Sequence, residues 1–320
     1  MAYSLLLEHN GTTSFPAVQE GVSLTLERKG APGILRFTVI ADDALVLEEG
    51  DRVKLSVNGT DMFYGFVFLK KATEDGLISV TAYDQLRYLK NKDTFIGTGL
   101  KASDLLIRLA EDFHLRTGTI EDTGHVIDII DEQNQTLFDM IQNALDETLQ
   151  STGKLYVLYD DVGKLCLRDI NQLKLGLVVD AETGESYSYE SSIDSQTYDK
   201  IKLYYDNDKT GKRELYVAQD SGNIDRWGVL QYCEQLRSTT GAQAKADALL
   251  RLYNSRTRSL TIGGAFGNPL VRAGCSIIVS LALPGVALSN YMVVQKVVHT
   301  LSGERHSMDL TLIGGEVISG

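Results

Sequence analysis

The sequence predicts a mainly β fold in which one β-module occurs twice, with an α+β insert between the copies. Three observations point there. The stretch from Gly241 to Gly320 reads as one unit: a helix, then the strand signals SLTIGG, VRAGCSIIVSL, NYMVVQKVVHTL and HSMDLTLIG, parted by Gly, Pro, Asn and Ser. A second copy lies nearer the N-terminus. With Gly50 set against Gly274, Val53 matches Ile277, Leu55 matches Val279, Val57 matches Leu281, Tyr64 matches Tyr291 and ISVTA matches MDLTL. Side chains alternate along a strand, so this register predicts that all six apolar residues share an inward face. Third, the hydrophobic period switches from two to that of a helix near Leu100, and the alternation resumes from Ser195.

Taken in order, Tyr3 to Tyr83 reads as strands YSLLLEH, VSLTLER, ILRFTVI, DRVKLSV, DMFYGFVFLKK and LISVTAY. Regular turns, among them Asn10-Gly11, Asn58-Gly59 and Asp75-Gly76, separate them and indicate a barrel or sandwich. Leu105, Leu106, Leu109, Ala110 and Phe113 fall at helical spacing, as do Leu137, Met140, Ile141, Ala144, Leu145 and Leu149. Thr136 and Asp139 form a capped start for the second helix, and Gly153 follows its end. The short apolar segment HVIDIID lies between the helices, and KLYVLY and KLCLR flank DDVG as a hairpin. A further hairpin turns at Asp206 to Gly211, whereas SGNIDRWGVLQYCEQL is ambiguous between strand and helix. Thr240 and Gln243 suit a capping box for a helix whose stripe is Ala242, Ala246, Leu249, Leu250 and Tyr253. The expected domains are therefore residues 1–94 as the first module completed by 195–237, residues 95–194 as the insert, and residues 238–320, from Ser238, as the second module with an N-terminal helix.

Composition narrows the function classes. A chain of 320 residues with 43% hydrophobic and 23% charged content suits two or three globular domains. The net charge of -12 repels phosphate, which argues against binding nucleic acid or anionic membranes. Cys166, Cys233 and Cys275 are odd in number and far apart, and read as buried thiols of a reducing compartment. MAYSLLLEHNG lacks the basic start of a secretory signal, and the apolar run from Cys275 to Leu288 is broken by Ser276, Ser280 and Pro284, so no membrane insertion is expected.

Motifs for chemistry are weak. Asp206, Asp208, Thr210 and Gly211 resemble a calcium loop, but the twelfth position is Val217 where a bidentate Glu is needed, and hairpin turn chemistry accounts for the same residues. Three Gly-Lys pairs, at Gly153, Gly163 and Gly211, have Thr148, Leu158 and Asp206 where a phosphate loop needs its first glycine. His9, His114, His125, His299 and His306 show no zinc spacing, although His299 and His306 can approach across a hairpin. No catalytic, cofactor or metal residue is assigned. A paired-carboxylate glycosidase would have to be chosen by hand from 43 acidic residues, and a lone Trp227 is a poor sugar platform, with 15 tyrosines leaving that reading open.

The order of parts resembles the XkdQ/YqbQ-type tail hub proteins of contractile phages, PBSX-like defective prophages and phage-tail-like bacteriocins. ISVTAYDQLRYLKN, GLKASDLLIRLAEDF, TLFDMIQNALDET, LYVLYDDVGKLCLRD and VVHTLSGERHSMDLTL carry the resemblance, which runs from about residue 3 to residue 317. It implies a non-enzymatic homotrimer whose tube-like barrels, two per chain, form a pseudo-sixfold ring between the hexameric tail tube and the threefold spike. It also implies partnership with other baseplate proteins, and assembly in the bacterial cytoplasm before incorporation into the baseplate. No peptidoglycan-degrading domain is expected after LTLIGGEVISG. A cell-wall glycan hydrolase and a carbohydrate-binding β-module are the competing classes.

Overall fold

A computed structural model describes residues 2–42, 45–194, 196–207, 210–236, 239, 241–283 and 286–314. Ser195, Asp208, Ser238, Thr240 and Pro284, each of which carried an expectation, lie outside the described residues.

The first module holds β1 (Tyr3–His9), β2 (Thr12–Ser14), β3 (Val22–Glu27), β4 (Ile34–Ile40), β5 (Arg52–Val57), β6 (Thr60–Ala72) and β7 (Leu77–Tyr83). Alternation does the folding: in β5, Val53, Leu55 and Val57 are fully buried while Arg52, Lys54 and Ser56 face outward. The turn between β5 and β6 is Asn58-Gly59, both with positive φ, as a tight hairpin requires.

A 3-10 turn, Gln85–Lys90, leads into the insert. It comprises β8 (Lys92–Leu100), α1 (Ala102–Asp112), β9 (Thr117–Ile120), β10 (Ile127–Thr136), α2 (Leu137–Thr152), β11 (Tyr156–Asp160) and β12 (Leu165–Asp169). The segment HVIDIID thus enters β10, which pairs with β8. The caps of α2 form as expected: the Thr136 hydroxyl accepts from the Asp139 N–H at 3.1 Å, and Gly153 ends the helix with φ of 72°. Strands β11 and β12 form the hairpin around Gly163.

Two corrections concern the boundaries. Strands β13 (Lys174–Asp180) and β14 (Ser186–Ser192), expected in the insert, pair with strands of the second module. Their register partners lie about 100 residues away for β13 and about 70 for β14, so no local pattern announces the pairing. Residues 195–237 do not complete the first module. Instead β15 (Lys200–Asn207), β16 (Lys212–Gln219), α3 (Ser221–Trp227) and β17 (Gln231–Gln235) build a separate three-stranded sheet, covered by α4 (Ala242–Tyr253). Its core of Ile201, Leu203, Ala218, Ala246 and Leu249 uses the apolar stripe of α4, so that helix belongs here and not to the second module. The cap also differs. Gly241 at φ of 68° precedes α4, and the Gln243 amide donates to Asp247 and to the Val217 carbonyl instead of closing a box.

The second module is β18 (Thr257–Phe266), β19 (Ser276–Leu283), β20 (Val286–Ser302) and β21 (Arg305–Gly314), with β13 and β14. The modules share one sheet, and the fold is mainly β.

Candidate assembly interface

The two modules have the same strand neighbours. The order β1-β5-β6-β7-β4-β3 in the first matches β13-β19-β20-β21-β18-β14 in the second. Register agrees as well. Val53 faces Gly65 and Ile277 faces Met292, which places Tyr64 against Tyr291 as equivalents. Ile277, Val279 and Leu281 are buried like Val53, Leu55 and Val57. The Gly50 N–H donates to the Val67 carbonyl and the Val67 N–H to the Asp51 carbonyl; Gly274, Val294 and Cys275 repeat both bonds, all at 2.8 Å. A bulge falls between Val67 and Leu69 in β6 and between Val294 and Lys296 in β20. One position differs in direction: β1 runs antiparallel to β5, but β13 runs parallel to β19.

The modules are joined edge to edge. Beyond its bulge, β20 pairs antiparallel with β3, from Lys296 opposite Glu27 to Leu301 opposite Val22. Backbone bonds close both ends, Arg28 N–H to the Gln295 carbonyl at 2.9 Å and Gly21 N–H to the Leu301 carbonyl at 3.1 Å. Side chains reinforce the seam: Lys296 Nζ lies 2.8 Å from Glu27 Oε1, Arg28 Nε donates to Gln295 Oε1 at 2.8 Å, and the Ser302 hydroxyl donates to Glu20 at 2.8 Å. Leu301 sits in the first module's core, and Leu26 touches both cores.

The hairpin β11–β12 is wedged against both modules. Gly163 meets Tyr64 so closely that a Cβ would lie 2.6 Å from its ring, and Gly274 meets Val157 with a Cβ at 2.3 Å. Arg272 enters from the second module, its guanidinium 3.6 Å above the Tyr159 ring, and donates to the Asp160 carbonyl at 2.6 Å. The Asp160 carboxylate accepts from the Gly163 N–H at 2.7 Å, and burial pushes its pKa up to about 6. On the other side Asp84 accepts from the N–H groups of Gly33 and Leu86 at 2.8 and 3.0 Å. Burial, and then the charge of Asp160, hold Asp84 well above the usual carboxylate range. Gln85 grips the Arg116 backbone with both ends of its amide, at 3.0 and 3.1 Å. Asp84 is buried and Asp160 half-buried, with Asp160 Oδ2 out of solvent and without a hydrogen-bond partner; each carboxyl holds backbone N–H groups where three parts meet.

The residues tested for chemistry scatter. Asp206 is taken by Arg213, Nε and Nη2 at 2.6 and 3.0 Å, and the Thr210 N–H donates to Asn207 within the turn. No group of three or more His, Cys, Asp or Glu suited to a metal occurs among the described residues. Gly153 caps α2, while Gly163 and Gly211 occupy hairpin turns with positive φ. His299 and His306 do meet, Nδ1 to Nε2 at 2.9 Å, with His299 Nε2 3.0 Å from the Val271 carbonyl. That carbonyl takes the His299 proton, so His306 is the donor of the pair; burial drives His299 down to about 3. Cys166 and Cys275 are buried, but Cys233 is exposed, since alternation along β17 turns Tyr232 inward and Cys233 out. Trp227 stacks with Arg256 at 6.0 Å. No helix among the described residues is long and apolar enough to cross a membrane. Sequence reasoning missed the β3–β20 seam and the Arg272 junction; the pairing of Gly50 with Gly274 was the one signal bearing on either.

The family model described as YQBQ-like matches residues 22–313. The chain belongs to the YQBQ-like family. Two curated relatives from Bacillus subtilis are similar along nearly their whole length: the uncharacterized protein YqbQ, 32% identical over 92% of each chain, and the phage-like element PBSX protein XkdQ, 31% identical over 92% of each. Among solved structures, the 43 kDa tail protein of prophage MuSo2 from Shewanella oneidensis superposes with a TM-score of 0.72 at 12% identity, covering 98% of this chain and 99% of that one. The YQBQ-like fold is thus shared with phage tail proteins well beyond recognisable sequence similarity.

Proposed function

We propose that this YQBQ-like chain is a structural baseplate hub protein of a contractile tail or phage-tail-like particle. Three copies close a ring of six barrel modules, matching a hexameric tail tube on one face and a threefold spike on the other. One observation carries this reading: the two modules agree in strand order, register and bulge position, and are already joined laterally within one chain. Twofold repetition in a trimer yields six similar surfaces, which is what a symmetry adaptor between sixfold and threefold partners needs. The phage-like-element name of one relative and the tail-protein name of the MuSo2 structure support the setting. The chain works without cofactor or catalysis, is made in the bacterial cytoplasm, and leaves in the assembled baseplate.

Mass photometry of the purified chain tests the ring. A trimer is expected, with interfaces in the obligate range of about 2,000 to 5,000 Å². A species that stays monomeric with the tube and spike proteins present overturns the proposal, and release of fragments from peptidoglycan would favour the hydrolase reading.

A further inference from the structure

The seam inside one chain is a template for the seam between chains. In the first module β3 gives its outer edge to β20, whereas β14, its equivalent, has no strand on its outer edge among the described residues. The strand equivalent to β20 is β6. Past its bulge, Leu69 to Ala72 pair with β7 on one side, and no backbone hydrogen bond reaches these four residues from the other side among the described residues. Each module therefore holds half of the same joint. The chain uses one β3-type edge and one β20-type edge internally, leaving a β14 edge and a β6 edge unpaired.

Register can be carried across residue by residue. Leu24 faces Leu35 on β4, which faces Ala82; Tyr189 faces Leu260 on β18, which faces Leu312. Ala82 and Leu312 are themselves equivalent, because they face Val67 and Val294. Tyr189 therefore stands for Leu24, and Glu190 for Thr25. On the other strand Lys71 faces Ser79 as Val298 faces Asp309, so Lys71 stands for Val298. Since Val298 lies opposite Thr25 in the internal seam, Lys71 falls opposite Glu190.

We propose that β14 of one protomer pairs antiparallel with Leu69–Ala72 of β6 in the next, with Lys71 opposite Glu190. This rests on the ring reading above and specifies its interface. The Arg28–Gln295 bond sets the parity: Lys70 with Ser191, and Ala72 with Tyr189, exchange backbone bonds, whereas Lys71 and Glu190 form a non-hydrogen-bonded pair. Charge fits, a lysine meeting a glutamate as Lys296 meets Glu27 in the internal seam. Burial fits as well, because Leu69 is 58% exposed on an open strand edge, a feature soluble proteins otherwise avoid. The joint between chains is the weaker one. Strand β6 ends at Ala72, where β20 runs on to Ser302, and Glu74 stands where Leu301 anchors the internal seam.

Disulfide trapping tests the register. Non-hydrogen-bonded pairs bring Cα atoms to about 4.5 Å, within disulfide reach. In a Cys233→Ser background, Lys71→Cys with Glu190→Cys should convert under mild oxidation to covalent dimers and trimers on a non-reducing gel. Each single variant should remain monomeric on that gel. The slipped pair Lys71→Cys with Ser191→Cys should lose most of the product, because adjacent residues point to opposite faces. As a second readout, Lys71→Glu should weaken trimer formation and Glu190→Lys added to it should restore it. A trimer by mass photometry that gives no Lys71–Glu190 product overturns the pairing and leaves the hub reading standing. A chain that is monomeric and uncrosslinked with tube and spike proteins present overturns both.

Discussion

Leu301 of β20 and Val22 of β3 are register partners across the seam, and both lie in the core of the first module. The second module thus lends a side chain to the first. Leu301→Ala should cost about 2 to 5 kcal/mol, from the lost transfer energy plus the cavity left behind. Urea unfolding monitored by circular dichroism would measure this. Because the side chain bridges two units, the unfolding transition should also broaden or split; a loss under about 1 kcal/mol would mean that the modules do not depend on each other there.

The His299–His306 pair makes stability fall in acid. The unfolded imidazole of His299 titrates near 6.5, but burial lowers the folded value to about 3, and burial lowers His306 as well. Between those values the unfolded chain binds the extra proton, so the contribution is complete above the unfolded pKa and is lost progressively as pH falls toward the folded one. Denaturation midpoints taken from pH 7.5 down to 4.5 should decline. A His299→Leu variant, whatever its absolute stability, should decline less over that window.

Asp160 acts in the opposite sense. Its folded pKa is raised from 3.8 to about 6, so its contribution is complete below the unfolded value and is lost as pH rises through the folded one. Asp160→Asn keeps an oxygen for the Gly163 N–H and removes the titration. The variant's stability relative to the parent should rise between pH 4 and 7, by something on the order of 1 to 3 kcal/mol. A difference independent of pH would show that the buried carboxyl does not titrate in this range.

Arg272 should be sensitive to both charge and shape. Arg272→Met removes the donor to the Asp160 carbonyl and a cation whose charge acts on both Asp84 and Asp160, with an expected loss of about 3 kcal/mol. Arg272→Lys should recover only part of it, because an ammonium cannot stack its plane on Tyr159 while donating sideways. Equal stability of the Lys variant and the parent in urea would refute the stacking contribution.

What could be read in advance was whatever repeats or caps locally. Alternation aligned Val53 with Ile277, and the pairs that structure places across from them, Gly65 and Met292, follow from the same register. The caps Thr136 and Gly153 are signals a few residues long, and they formed. Strands β13 and β14 read as part of the insert but belong to the second module, because LKLGLVVD and YSYES carry a strand's period without naming its partner. The same holds for β15 to β17, whose apolar faces fit any sheet until α4 covers them. The proposed assembly surface is legible in the sequence only as symmetry. Nothing in Lys71 or Glu190 themselves marks a joint; their meaning comes from Val298 and Thr25, which are already paired.

Gly163, in the turn of the β11–β12 hairpin, lies under Tyr64 of the first module, and Gly274 of the second module lies under Val157 of the same hairpin. The hairpin therefore behaves as a keystone: the angle at which the two modules meet is set by a third body driven between them, as well as by the strands that stitch them. Any side chain at either glycine would prise that angle open. In the proposed ring the diameter would follow from the hairpin, so a single added methyl group at either glycine should change whether three copies can close.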